Sequence, residues 1–268
     1  MGLVSNQSNP PRIVFGGDRA LAVRVLKFLL NSGCTPSSLL LPGPEAASHS
    51  AQLSELFSQA GGQRIFCGSE VLSRSGFDAI GEARPDYIIL IHLPLKIPPA
   101  FLSLPVHGIL NLHPAYLPYN RGWHTPSWAI LDGSPYGATL HFMSEAIDEG
   151  DIVHQRKLAV TPADTAHTLY KKVLELEFEV FREAWPALVA RHYSRTPQQP
   201  RDGTVHKKRD LFAKDLQRLD LDSSYQAGAL LDRMRALTTN RVDEACFFER
   251  NGTRYRVQVS ITEEPVRP

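Results

Sequence analysis

Cysteine is scarce in this chain: Cys34, Cys67 and Cys246 are the three it has, and no two share a metal-ligand or redox spacing. That excludes a disulfide framework and a paired-cysteine zinc site, and predicts reduced thiols in the cytoplasm. Neither charge sign is in surplus, with 29 Lys and Arg against 28 Asp and Glu. Such a balance argues against nucleic acid or an anionic membrane as the main partner. No apolar run approaches the ~20 residues that span a bilayer. The opening MGLVSNQSNPPR lacks the charged start and apolar middle of a signal peptide. Gly2 does not read as a myristoylation site, because Asn6 stands where that pattern wants Ser or Thr. An ordinary disordered start is the expectation. The hydrolase elbow G-x-S-x-G and the dinucleotide fingerprint G-x-G-x-x-G are also missing.

What is present suffices for a sizeable core, since 43% of the 268 residues are apolar. The first half alternates short apolar runs with helical stretches. Arg12 to Phe15, Ser38 to Leu41, Arg64 to Phe66, Tyr87 to Ile91 and Gly108 to Leu112 read as strands. Helices are expected over Arg19 to Asn31, around Gln52 to Ala60, from Pro98 to Ser103 and near Thr125 to Leu131. Continuous apolar strands separated by helices predict an α/β, Rossmann-like and mostly parallel sheet. Strands at Ala138 to Met143 and Ile152 to Val160 follow. A long helix then begins at Thr161-Pro162-Ala163-Asp164, shows one apolar stripe of Leu169, Val173, Leu176 and Val180, and ends near Arg191. The expected boundary divides a catalytic domain, 1–191, from an extension, 192–268. In that extension Ser194 to Thr204 reads as a linker, Ser224 to Leu237 as a short helix, and Ala245 to Ile261 as a hairpin turning at Asn251-Gly252. The hairpin's apolar face of Tyr255, Val257, Val259 and Ile261 has to pack on the body or on a second subunit.

Two stretches carry candidate chemistry. Asn111 and His113 lie two apart at the end of an apolar strand, so both side chains leave the same face. Ligands of open parallel sheets bind outside the carboxyl ends of strands, which places this pair at a crevice. Spacing alone also fits a strand end whose polar residues cap loop backbone. The second stretch, Glu145 to Ile152, is either a tight acidic turn or a loop that brings Asp148 against the histidine. Gly16-Gly17-Asp18 stands where a strand meets a helix and offers backbone N–H groups to a phosphate, although Asp18 is also a competent N-cap. His206-Lys207-Lys208-Arg209, the one dense basic cluster, reads as solvated surface or as a clamp on a diphosphate.

Asn111-Leu112-His113-Pro114-Ala115-Tyr116-Leu117-Pro118 resembles the N-[IL]-H-[PG]-[SA]-x-L-P signature of folate-dependent formyltransferases. Gly137 to Phe142 followed by Ile147-Asp148-Glu149-Gly150 resembles the second half of that signature. The resemblance implies a catalytic triad of Asn111, His113 and Asp148, with 10-formyltetrahydrofolate as formyl donor and no metal. An amine attacking a formamide carbonyl builds an oxyanion, which preorganised donors stabilise. Asn111 offers an amide N–H to it, and His113 donates when protonated, a form that a nearby carboxylate favours. Asp148 is placed to accept the amine's proton. By the same resemblance Leu93, Leu95 and Ile97 pack on the pterin, while Ala146 and Ile147 supply backbone to its edge.

The branch of that family with the most similar features acts on nucleotide-linked amino sugars. Tyr119, Asn120 and Arg121 after the signature, and the helix-plus-hairpin ending, resemble it. Acceptor contacts are then expected from Gly16, Gly17, Tyr119, Asn120, Arg121 and Lys207, with the hairpin helping to form a homodimer. Ala115 in place of the commoner Ser, and Trp123-His124, are departures from the family pattern. Methionyl-tRNA formylation, hydrolysis of the donor and a non-catalytic folate-binding module are the alternatives. The modest charge and short tail weigh against the first, and the intact triad against the last.

Overall fold

The computed structural model describes residues 10–265. The expectations for the opening stretch, Gly2 and Asn6 included, lie outside the described residues. In chain order the main elements are β1 (Ile13–Gly17), α1 (Arg19–Asn31), β2 (Ser38–Leu41), α2 (Ser50–Gln59), β3 (Ile65–Cys67), α3 (Arg74–Glu82), β4 (Tyr87–Ile91) and β5 (Gly108–His113). They continue as β6 (Arg121–Gly122), α4 (Thr125–Leu131), β7 (Tyr136–Phe142), β8 (Ile152–Leu158), α5 (Ala166–Val189), β9 (Val205–His206), α6 (Lys214–Gln217), α7 (Ala227–Ala236), β10 (Cys246–Arg250) and β11 (Thr253–Val257). Pro99–Ser103, expected as a helix, forms a short 3-10 turn.

Packing divides the chain into two compact units. Unit 1 holds the residues up to His113 with Leu140–His154 and Glu177–Pro197; unit 2 holds Pro114–Thr139, Gln155–Leu176 and the chain from Gln198. The central sheet runs β3-β2-β1-β4-β5-β7-β8, and the pairs from β3 to β5 are parallel. β1, β2 and β4 are buried along their whole length, which is why their sequences are unbroken apolar runs. Val14, Leu40, Ile88, Leu90 and Ile109 form one continuous core with Phe101, Val71 and Ile80. A fully buried side chain of this kind contributes about 1.5–3 kcal/mol, so the sheet is a rigid support for whatever its edges carry.

Several sequence expectations shift. α3 has no counterpart in the sequence reading, because Gly76 and Gly81 interrupt the pattern of Phe77 and Ile80; Ser73 starts it by accepting from the Gly76 N–H. α5 begins at Ala166 rather than at Thr161. The preceding residues make a cap instead, with the Asp164 carboxylate accepting from the Thr161 N–H and from the hydroxyls of Thr161 and Thr168. The stretch expected as a linker is tethered: Thr196 exchanges two backbone hydrogen bonds of 2.9 Å with Ile152. Its Pro, Gln and Arg content signals absence of helix and strand, not freedom. In unit 2, β10 and β11 turn at Asn251 and Gly252, both at positive φ, and β11 ends at Val257, short of the expected Ile261. Cys246 and Val257 of the hairpin pack with Leu211, Leu237 and Met234. No helix among the described residues is long and apolar enough to cross a membrane.

Candidate active site

The triad read from sequence comes together in unit 1. β5 presents Asn111 and His113 at its carboxyl end, where Asn111 pairs in register with Leu90. His113 Nε2 lies 3.6 Å from Asp148 Oδ2, with side chains 8% and 15% exposed. That separation is ion-pair reach, and catalytic contacts of a ligand-free site commonly tighten with substrate bound.

The loop carrying Asp148 is held by backbone. Asp148 itself has φ +53°, a left-handed conformation that Asp tolerates. The Phe142 N–H donates to the Asp151 carbonyl at 2.8 Å and closes the turn. Gly150 is required by close approach, because a Cβ there would stand 1.8 Å from the Phe142 carbonyl oxygen.

A fourth residue, His141, belongs to the centre, and the sequence reading assigned it no role. It is 1% exposed on β7, its Nε2 is 3.6 Å from Asp148 Oδ1, and its ring stands edge-on to that of His113. Burial pushes its pKa down to about 4, against the opposing pull of Asp148. The ring is therefore neutral near pH 7. Its Nδ1–H donates to the Phe142 carbonyl at 2.8 Å, which leaves Nε2 as an acceptor for the Asn111 amide at 3.3 Å. His141 thus fixes the rotation of the Asn111 amide and leaves its second N–H for a ligand. The available signal was two polar residues, Thr139 and His141, at period two inside an otherwise apolar strand.

A pH dependence follows. Between pH 6.5 and 4 the unfolded chain takes up a proton at position 141 that the folded chain refuses. Stability is full above that window and falls as pH drops through it, by on the order of 3 kcal/mol. Denaturant unfolding at several pH values checks this. His141→Gln is expected to flatten the slope, and an unchanged slope would remove the assignment.

The expected folate residues lie in the loop after β4 and in the loop before Asp148. Leu93, Leu95 and Ile97 are half-buried, packed inward on the core, and Ile147 is 66% exposed beside exposed Ala146. The expected acceptor residues divide. Gly16 and Gly17 have packing reasons: added Cβ atoms would meet Leu90 and Leu40 at Gly16, and Ala22 and the Ile91 carbonyl at Gly17. Asp18 does not cap its own helix; its carboxylate accepts from Ser48, His49 and Ser50 at the start of α2. Burial alone would raise its pKa, but the His49 and Ser48 hydrogen bonds hold it below the ordinary value. A buried anion there disfavours a phosphate at this turn.

In unit 2, Asn120 is fully buried, its amide donating to Ser134 and its carbonyl accepting from Thr204. It braces the turn and presents no group outward. Arg121 is buried in β6, paired with β9, while Tyr119 is half-buried. His206 of the basic cluster turns inward, stacked at 4.0 Å on Trp128, and Lys207, Lys208 and Arg209 remain exposed. Among the described residues no group of three or more His, Cys, Asp or Glu is set to hold a metal ion.

A strand-end Asn and His facing a loop Asp across a sheet of this topology define a class, and comparison with known proteins gives it a family. The chain matches the family described as Formyl transferase over residues 43–185, and it belongs to that family. Residues 213–263 match the N-formyltransferase dimerization C-terminal domain. A dTDP-4-amino-4,6-dideoxyglucose formyltransferase of Mycobacterium bovis is 32% identical over 188 residues, 69% of this chain and 76% of that one. A methionyl-tRNA formyltransferase of Myxococcus xanthus is 28% identical over 232 residues, 85% of this chain and 73% of that one. The crystal structure of a 4-N formyltransferase from Francisella tularensis superposes with a TM-score of 0.78, covering 95% of this chain and 99% of that one at 23% identity. At that identity the likeness speaks for the fold.

Proposed function

We propose that the protein transfers a formyl group from 10-formyltetrahydrofolate to the amine of a nucleotide-linked amino sugar. The observation that carries the reading is the Asn111–His113–Asp148 cluster, with His141 ordering it, in a chain similar over two thirds of its length to a dTDP-amino-sugar formyltransferase. The donor supplies a formyl group on nitrogen, and the half-buried Leu93, Leu95 and Ile97 with the exposed Ile147 suit its flat apolar ring.

Asn111 directs its free N–H, and His113 its ring, at the formyl oxygen as negative charge grows there. Asp148 accepts the proton that the amine sheds as the new C–N bond forms. His113 is the group placed to protonate the departing folate nitrogen, so the sum is one formamide exchanged for another and one N–H for another. The acceptor's amine is the nucleophile, and the triad needs only to order charge and protons around it. Of the acceptor positions expected from sequence, we retain Tyr119, Arg121 and Lys207 as contacts, with exposed Lys207 a charge partner for a diphosphate. The dimerization-domain match supports a homodimer, and three free cysteines support a reducing, cytoplasmic setting.

The experiment follows tetrahydrofolate release with a panel of dTDP-, UDP- and GDP-linked amino sugars, glycinamide ribonucleotide, methionyl-tRNA and buffer alone. Release with one amino sugar is the expected result, with Lys207→Glu raising that acceptor's KM about tenfold and leaving the donor's unchanged. Equal release in buffer alone means a hydrolase. Release with methionyl-tRNA alone selects the other relative's activity.

A further inference from the structure

A buried hydrogen-bonded pair in unit 1 stands outside the centre described above. Glu177 on α5 has no solvent exposure, and its Oε1 lies 2.9 Å from His92 Nε2, whose side chain is 11% exposed. Its other oxygen, Oε2, is buried without a hydrogen-bond partner among the described residues. His92 is thus the hydrogen-bond partner of a carboxyl that has left water altogether, an arrangement that costs stability unless the pairing is well made.

The position of His92 gives the pair a consequence. It directly follows Ile91, the last residue of β4, at the carboxyl end of the sheet where the triad strand also ends. Its backbone has φ +51°, in the left-handed region where a residue other than glycine persists only if its surroundings hold it. The ring's bond to Glu177 is such a hold. From this point the chain runs into Leu93, Leu95 and Ile97, with a tight turn in which the Leu95 N–H donates to the Leu93 carbonyl at 2.8 Å.

We infer that His92 and Glu177 are positioning residues for the formyl donor: the pair sets the exit of the chain from β4 and so the placement of the Leu93–Ile97 shelf. The inference rests on the reading of that shelf as the donor site. α5 thereby becomes part of the donor site's support without touching the donor.

The test measures tetrahydrofolate binding by calorimetry and the KM of each substrate, using the full chain. His92→Asn tolerates the left-handed backbone but is too short to reach Glu177. It is expected to weaken tetrahydrofolate binding and raise the donor KM about tenfold, with the acceptor KM unchanged. Glu177→Gln keeps shape and one hydrogen bond and is expected to stay within about twofold of wild type. Glu177→Leu removes the carboxyl rather than stranding it, gives the same donor-specific loss, and keeps the test open if His92→Asn folds poorly. The His92→Asn, Glu177→Leu double variant is expected to lose no more than either single one, because both break the same contact. A fall in Tm and in active fraction with the donor KM unchanged means a merely structural pair and overturns the inference. Failure of wild type to bind tetrahydrofolate overturns the donor reading, and the inference with it.

Discussion

His113→Ala is expected to lower kcat by about three orders of magnitude while leaving the donor KM within about twofold. The side chain is 8% exposed and faces Asp148 at 3.6 Å, and in the proposed reaction it acts in the transition state rather than in ground-state binding. The neighbouring His141 cannot take over. Its Nδ1 is committed to the Phe142 carbonyl and its Nε2 to the Asn111 amide, and burial keeps it neutral down to about pH 4. Steady-state release of tetrahydrofolate from the saturated enzyme is the measurement. Retention of a tenth or more of the wild-type rate would take His113 out of the chemistry.

Gly150→Ala, two residues beyond Asp148, is expected to cost almost as much without touching a reacting atom. A methyl group at that position meets backbone on β7, 1.8 Å from the Phe142 oxygen and 2.7 Å from its carbonyl carbon. Backbone cannot rotate aside as a side chain does, so the loop has to lift. Lifting strains the 2.8 Å bond between Phe142 and Asp151 that closes the turn. The expected result is a loss of about 3 kcal/mol of stability and of about a hundredfold in kcat. Chemical denaturation and kcat measured on the same sample separate the two effects. A normal kcat would show that the position of Asp148 is not set by this contact.

How much of this could be read beforehand differs from element to element. β1, β2 and β4 were legible because burial on both faces writes a largely apolar run, and β5 because its apolar run is broken only at its carboxyl end. A strand's period of two marked Asn111 and His113 as a pair on one face, and the resemblance made them a triad with Asp148. The roles of His141 and Gly150 were not legible, although both lie inside the quoted motifs. One depends on neutrality imposed by complete burial, the other on a carbonyl eight residues away in sequence. The pair of His92 and Glu177 is separated by 85 positions, so no local pattern joins it. Asn120 came from the resemblance alone, and no local pattern announced that the fold turns it inward onto Ser134 and Thr204. A buried turn needs polar partners of its own as much as a substrate does.

The two packing units are braided along the chain, which passes from one to the other after His113, Thr139, His154, Leu176 and Pro197. No single cut in the gene releases either unit whole. Truncation after residue 191 removes only the 192–197 tail of unit 1 but strips unit 2 of everything from Gln198 onward. Unit 2 therefore cannot be dropped or swapped as a cassette. Its Pro114–Thr139 segment is instead spliced directly between β5 and the second half of β7. Variation in unit 2 has to arise by editing its three segments in place.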